Sequence, residues 1–237
     1  MRKYTIPKIA YVMLIAVLGC LSFGYTYAYF SSVAKAENAT VLGKINIVWR
    51  TTGDKSSTVA GLFADANNIE ISELVTLKRG QYSQLTATDK FGDTINLKLQ
   101  VANSGEDASV PAYCRIKIEA KYTPNGGTAT DCGDDWIQLA LNDGEDNTLI
   151  TEFDQNGWFY DETTKYYYYG EKTGSVSSPK ITLREIPAGE SRVLADRIYL
   201  SNNASAEMLG AEVKIMLKLE GVQSANKAYQ SVWNVTW

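Results

Sequence analysis

The chain is 237 residues long, 45% hydrophobic and 21% charged, a balance that belongs to folded rather than disordered proteins. It carries a formal net charge of −4 and no histidine. These features exclude Ser-His-Asp and Cys-His catalysis and histidine-based zinc sites, and they disfavour nucleic acid or an anionic lipid surface as partner.

At the N-terminus Arg2, Lys3 and Lys8 precede an apolar run over residues 9–23, and Thr26-Tyr27-Ala28 comes after it. Charge, then apolar length, then small-x-small is the order of an export signal, with cleavage expected between Ala28 and Tyr29. Two other outcomes stay open. Residues 9–30 reach the length of about 20 residues that spans a bilayer and could remain as an anchor. Val17-Leu18-Gly19-Cys20 also looks like a lipoprotein box. Removal of residues 1–28 takes away three basic and no acidic residues, so the net charge moves from −4 to −7. The new terminus, Tyr29-Phe30-Ser31-Ser32-Val33 onward to residue 40, is free of proline and is the candidate for an assembly strand.

Beyond it, residues 40–49 alternate, with Val41, Ile45, Ile47 and Trp49 on one face. Residues 51–57 form a polar turn region, 58–68 a short helix or covering loop, 70–77 a strand and 78–80 a turn. Residues 94–101 place Ile95, Leu97, Leu99 and Val101 inward, and residues 112–122 do the same with Cys114, Ile116, Ile118 and Ala120. A short strand at 136–141 leads to an acidic turn. Trp158-Phe159-Tyr160 and residues 166–169 then read as an aromatic hairpin around a five-residue loop. Residues 192–200, 211–220 and 229–237 complete roughly ten strands. With turns between them and no sustained helical stripe, they predict an all-β, two-sheet antiparallel sandwich in one domain over residues 29–237.

Three cysteines are present, and Cys20 lies in the leader. In an exported chain the remaining pair, Cys114 and Cys132, favours a disulfide, although two reduced thiols remain the alternative. Trp158, Tyr160, Tyr167 and Tyr169 could offer a stacking platform for a sugar or protein ligand, or could simply be cross-strand pairs that hold the hairpin. The acidic residues Asp143, Glu145, Asp146, Glu152 and Asp154 lack the spacing of a calcium loop, so no metal or cofactor is expected.

Several stretches together resemble the TasA/camelysin family of Gram-positive exported proteins. They are Thr26-Tyr27-Ala28-Tyr29-Phe30-Ser31, then Ala39-Thr40-Val41-Leu42-Gly43-Lys44-Ile45-Asn46-Ile47, and Leu99-Gln100-Val101-Ala102-Asn103-Ser104-Gly105 leading to Pro111-Ala112-Tyr113-Cys114-Arg115-Ile116. Gly157-Trp158-Phe159-Tyr160, Tyr167-Tyr168-Tyr169, Pro187-Ala188-Gly189-Glu190-Ser191 and the closing residues 228–237 add to the likeness. The leader lacks the family's glycine-rich run, and Lys78-Arg79-Gly80 stands where the family has Pro-Gly-Asp. The resemblance implies a jelly-roll sandwich, maturation by the dedicated signal peptidase SipW, and head-to-tail biofilm-matrix fibres joined by N-terminal strand addition, with an accessory matrix protein as a further partner. Camelysin-like members imply a protease. Without histidine this chain shows no arrangement for one, so the reading is a secreted, non-enzymatic structural protein. The other function class is a monomeric surface adhesion module that uses the aromatic hairpin.

Overall fold

Alternating apolar and polar residues, interrupted by glycine turns, make strands through most of the chain. The computed structural model describes residue 45 and residues 47–237, apart from 52–62, 66–67, 73–77, 89–92, 106–109, 125–126, 143, 145, 152–156, 176–177 and 236. Ala28, Tyr29, Phe30, Ser31, Ser32 and Val33, and with them the cleavage site and the candidate assembly strand, lie outside the described residues. The chain divides into two units, Met1–Gly43 and Lys44–Trp237, and every described residue belongs to the second.

In chain order its strands are β1 (Ile47–Thr51), β2 (Phe63–Asp65), β3 (Asn68–Ser72), β4 (Gln81–Gln84), β5 (Thr86–Thr88), β6 (Thr94–Asn96) and β7 (Leu99–Asn103). Then come β8 (Ala112–Thr123), β9 (Thr130–Asp131), β10 (Ile137–Asn142), β11 (Asn147–Leu149), β12 (Trp158–Asp161) and β13 (Tyr166–Ser175). β14 (Ser178–Leu183), β15 (Ser191–Ala195), β16 (Arg197–Leu200) and β17 (Glu212–Gln223) complete the strands, and a short helix α1 (Ala228–Val232) lies near the end.

The largest sheet runs β12-β13-β8-β17-β3-β2, with β14 added to β13 and β9 to β8. Its centre is the β8–β17 ladder, antiparallel and in register from Glu212 opposite Thr123 to Gln223 opposite Ala112. A second sheet runs β11-β10-β16-β4, a third β1-β7-β15, and β5 pairs with β6. Inward rows from the three larger sheets share one core. Ile116 and Ile215 come from the first, Leu139 and Ile198 from the second, and Trp49, Leu99 and Val101 from the third. The unit is therefore all-β, with sheets packed face to face.

Four local expectations are corrected. Residues 63–65 are strand rather than helix or loop. The strand expected over 94–101 is two, β6 and β7, with Leu97 between them fully buried and its N–H bonded to Leu85 O at 2.7 Å. The strand expected over 192–200 bends at Asp196, so that β15 pairs in the third sheet and β16 in the second. The bend is pinned by Asp196 N–H to Ala140 O at 3.2 Å and by Asn142 N–H to Asp196 Oδ1 at 2.8 Å. Finally, residues 229–237 are not a closing strand. α1 and the tail place Trp233 and Val235 over Phe159, Tyr168 and Val222, on the face of the largest sheet turned away from the main core. Arg115 sits between the rings of Tyr166 (3.9 Å to the centroid) and Trp233 (4.8 Å) and pairs with Glu220 at 2.7 Å. The alternation of Trp233 and Val235 still marks which side chains are buried, although the backbone is not extended along them.

Candidate functional site

An outer strand offers unpaired backbone groups to another chain unless something blocks it. Most outer strands of this unit are short or covered. β2, β9 and β11 have three residues or fewer, and β4 has four. β14 carries Pro179, which has no N–H to donate. β12 is flanked on its outer side by the bond from Tyr160 N–H to Thr151 O at 2.7 Å.

The third sheet has two unlike sides. On one, β15 is bulged between Val193 and Ala195. The buried Trp158 donates its indole N–H to Val193 O at 2.7 Å, and Arg192 Nε–H donates to Tyr169 Oη at 2.8 Å while its guanidinium also pairs with Glu190. The Glu190 carboxylate, more than any other group, raises the Arg192 pKa. On the other side, β1 keeps unbroken register with β7, from Ile47 opposite Asn103 to Thr51 opposite Leu99. Among the described residues β7 is its one strand neighbour. Ile47 and Trp49 point into the core, Val48 is half-buried and Arg50 is exposed.

The start of β1 is held from two directions. It crosses β17 at Gly221, where a Cβ would lie 2.8 Å from Ile47 Cγ1 and 3.4 Å from Ile45 Cγ2. Only a residue without a side chain permits that approach. Opposite Ile47, the fully buried Asn103 donates through Nδ2 to Val110 O (2.8 Å) and Ile186 O (3.1 Å), and its backbone pairs with Glu190 and Gly189. The end of β7 is thereby tied to the loop before β8 and to the turn around Gly189.

The proposed ligand platform is overturned. Trp158 is fully buried, Tyr167 is 1% exposed, Tyr160 8% and Tyr169 9%. A stacking surface needs an accessible ring face, and these rings are spent on each other. Trp158 lies 5.2 Å from Tyr169, and Tyr160 lies 4.8 Å from Tyr167, as cross-strand pairs. Burial first, and then the negative charges of Asp134, Asp135, Glu162 and Asp161, push the Tyr160 phenol up to about 12. Tyr167 is raised further still by burial, even though its oxygen accepts the Leu139 N–H at 3.2 Å.

The disulfide is also corrected, since Cys114 and Cys132 are both free thiols. Cys132 N–H bonds to Ala120 O at 2.8 Å, and Ala120 stands six residues along β8 from Cys114. At about 3.3 Å per residue the two lie roughly 20 Å apart along the strand, whereas a bridge needs Cα atoms within about 7 Å. Burial holds Cys114 far up as a protonated thiol. Cys132 is pushed up to about 11 by burial and by Asp131. Neither is a thiolate at neutral pH.

Cys132 lines a groove of 640 Å³ at the junction of β8, β9 and β17. There Lys117 faces Lys218 and Lys121 faces Lys214 across the ladder. Glu119 separates the two pairs, bonding Lys218 at 2.6 Å and Lys117 at 4.0 Å, while Asp131 takes Lys121 at 3.3 Å. The groove is thus a self-neutralised outer face, with acids already on three of its lysines. Among the described residues no group of cysteine and carboxylate side chains is placed to hold a metal ion.

Sequence reasoning missed one arrangement. Lys172 and Asp161, 6% and 4% exposed at their side chains, form a buried pair at 3.2 Å. No periodic signal marks it, because Lys172 lies beyond Gly170, where β13 exchanges β12 for β14 as its partner. Set against family models, curated proteins and solved structures, the chain finds no match in any of the three.

Proposed function

We propose that this protein is an exported structural subunit of extracellular matrix fibres, in which the leading segment of one copy adds as a strand beside β1 of the next. The observation that supports it is the place of β1. Among the described residues the first strand is an outer strand in regular register, and it comes after a stretch whose sequence reads as an export signal and then an extended peptide. Backbone hydrogen bonds supply the affinity of such an addition, and alternate side chains supply its register. Because donor and acceptor are different surfaces, the contact propagates into a filament instead of closing.

The resemblance to the TasA/camelysin family, with its jelly-roll topology, belongs to this reading. So do a dedicated signal peptidase, an accessory matrix protein and a location outside the cell. No catalytic role is assigned, since the chain has no histidine and fibre formation requires no chemistry beyond assembly. The test is electron microscopy and sedimentation of the secreted protein after its N-terminal residue has been determined. Filaments are expected from the chain that begins at Tyr29, and folded monomers from a chain lacking residues 29–36. Filaments that persist after the deletion, or dispersed particles from the intact mature chain, refute the reading.

A further inference from the structure

The buried pair of β12 and β13 is set up for a reaction rather than for charge pairing alone. Two ions taken out of water lose more hydration than their attraction restores unless every remaining polar group is satisfied. Here Lys172 Nζ lies 3.2 Å from Asp161 Oδ1. The other carboxylate oxygen, Oδ2, accepts two bonds, from Thr164 N–H at 3.0 Å and from the Thr164 hydroxyl at 2.8 Å. Tyr168 Oη donates in turn to Thr164 Oγ1 at 3.0 Å, which polarises the chain of donors toward Oδ2. The turn itself is fixed by Lys165 N–H to Asp161 O at 2.8 Å. An amine is therefore held against one oxygen of a carboxyl group while two fixed donors sit on the other. This is how charge developing on a tetrahedral carbon–oxygen centre is stabilised, and the reactants are already adjacent in a water-poor site.

We propose that Lys172 and Asp161 condense to an intramolecular amide that covalently joins β12 to β13. The ammonium of Lys172 passes a proton to Asp161 Oδ1, and the freed nitrogen lone pair attacks Cγ. Oδ2 carries the negative charge under the Thr164 donors. The nitrogen then loses a second proton to Oδ1, the Cγ–Oδ1 bond breaks, and Oδ1 departs as water. One carboxylate and one ammonium become one amide and one water, so protons and electrons balance without any co-reactant. The product replaces two buried charges with one neutral group, whose carbonyl oxygen keeps the Thr164 bonds. An exported chain whose two mature-region cysteines lie too far apart to bridge gains by this route a cross-link that reducing agents do not open. The amide forms within one copy and does not depend on fibre assembly.

The experiment is mass analysis of the full purified chain, intact and after digestion with trypsin under denaturing conditions. The amide makes the protein lighter by one water. It also leaves the fragment ending at Lys165 joined to the fragment beginning at Tyr166, with no cut after Lys172. Asp161→Ala and Lys172→Arg should each restore the full mass and separate the fragments. Because the digest is read on the wild-type chain, a variant that fails to fold does not obscure the result. Wild-type protein of unreduced mass that is cut after Lys172 overturns the proposal, as does a water loss that survives in Lys172→Arg.

Discussion

The two sides of the third sheet, β1 and β15, come from the same kind of sequence and end in opposite conditions. β15 is bulged, its Val193 carbonyl is taken by the Trp158 indole, and its Arg192 is fastened to Tyr169 and Glu190. β1 runs in unbroken register with β7 and passes closely over Gly221. A strand edge is thus closed less by its own residues than by side chains arriving from another sheet. An outer strand in regular register, such as β1 among the described residues, is one on which assembly can be built.

The sharpest way to break this contrast is at Trp158. Trp158→Ala removes a fully buried indole and leaves Val193 O unpaired, and it should cost about 3–5 kcal/mol in denaturant unfolding. Trp158→Phe keeps most of the bulk and loses only the donor. It should cost about 1–2 kcal/mol and make the β15 amides exchange as fast as those of β1. On the other side, Gly221→Val drives a side chain into Ile47 and should cost about 1–3 kcal/mol, with assembly lost before folding is.

Alkali should loosen the closed side. Tyr160 titrates near 12 in the folded chain against about 10 unfolded, so the folded state binds the proton more tightly. The stability it contributes is complete below pH 10 and is lost as pH rises toward 12. Equilibrium unfolding between about pH 9 and 12, tracked alongside phenolate absorbance, should show this fall. Tyr160→Phe should reduce it without abolishing it, because Tyr167, Cys114 and Cys132 also hold their protons more tightly in the fold. The smallest effect is expected at the outer face of the ladder. Glu119→Ala leaves the Lys117–Lys218 pair without its acid, yet these side chains are 36–44% exposed and reached by solvent. The cost should stay below about 1 kcal/mol and shrink as salt is added.

The sequence made the strands of the central ladder legible because a period of two writes burial directly. Ile116, Ile215, Leu217 and Leu219 all fall where the alternation puts them. It did not reveal which sheet a strand joins. The bend at Asp196 depends on bonds to Ala140 and Asn142, more than fifty residues away. The aromatic residues left two readings open for a related reason. Trp158 and Tyr160 face one core while Phe159 and Tyr168 face a second one under Trp233, so the hairpin is covered on both faces and its rings are cross-strand pairs rather than a platform. The buried Lys172–Asp161 pair was invisible because a lysine after a glycine reads as solvated loop until β13 is seen to turn.

The most direct measurement is hydrogen exchange on the assembled mature protein, compared with the chain that lacks residues 29–36. Added strands beside β1 should slow the backbone amides of Ile47–Thr51 in the assembly while those of Ser191–Ala195 keep their rates. Equal exchange of β1 in both samples would contradict the account, as would protection that appears at β15 instead.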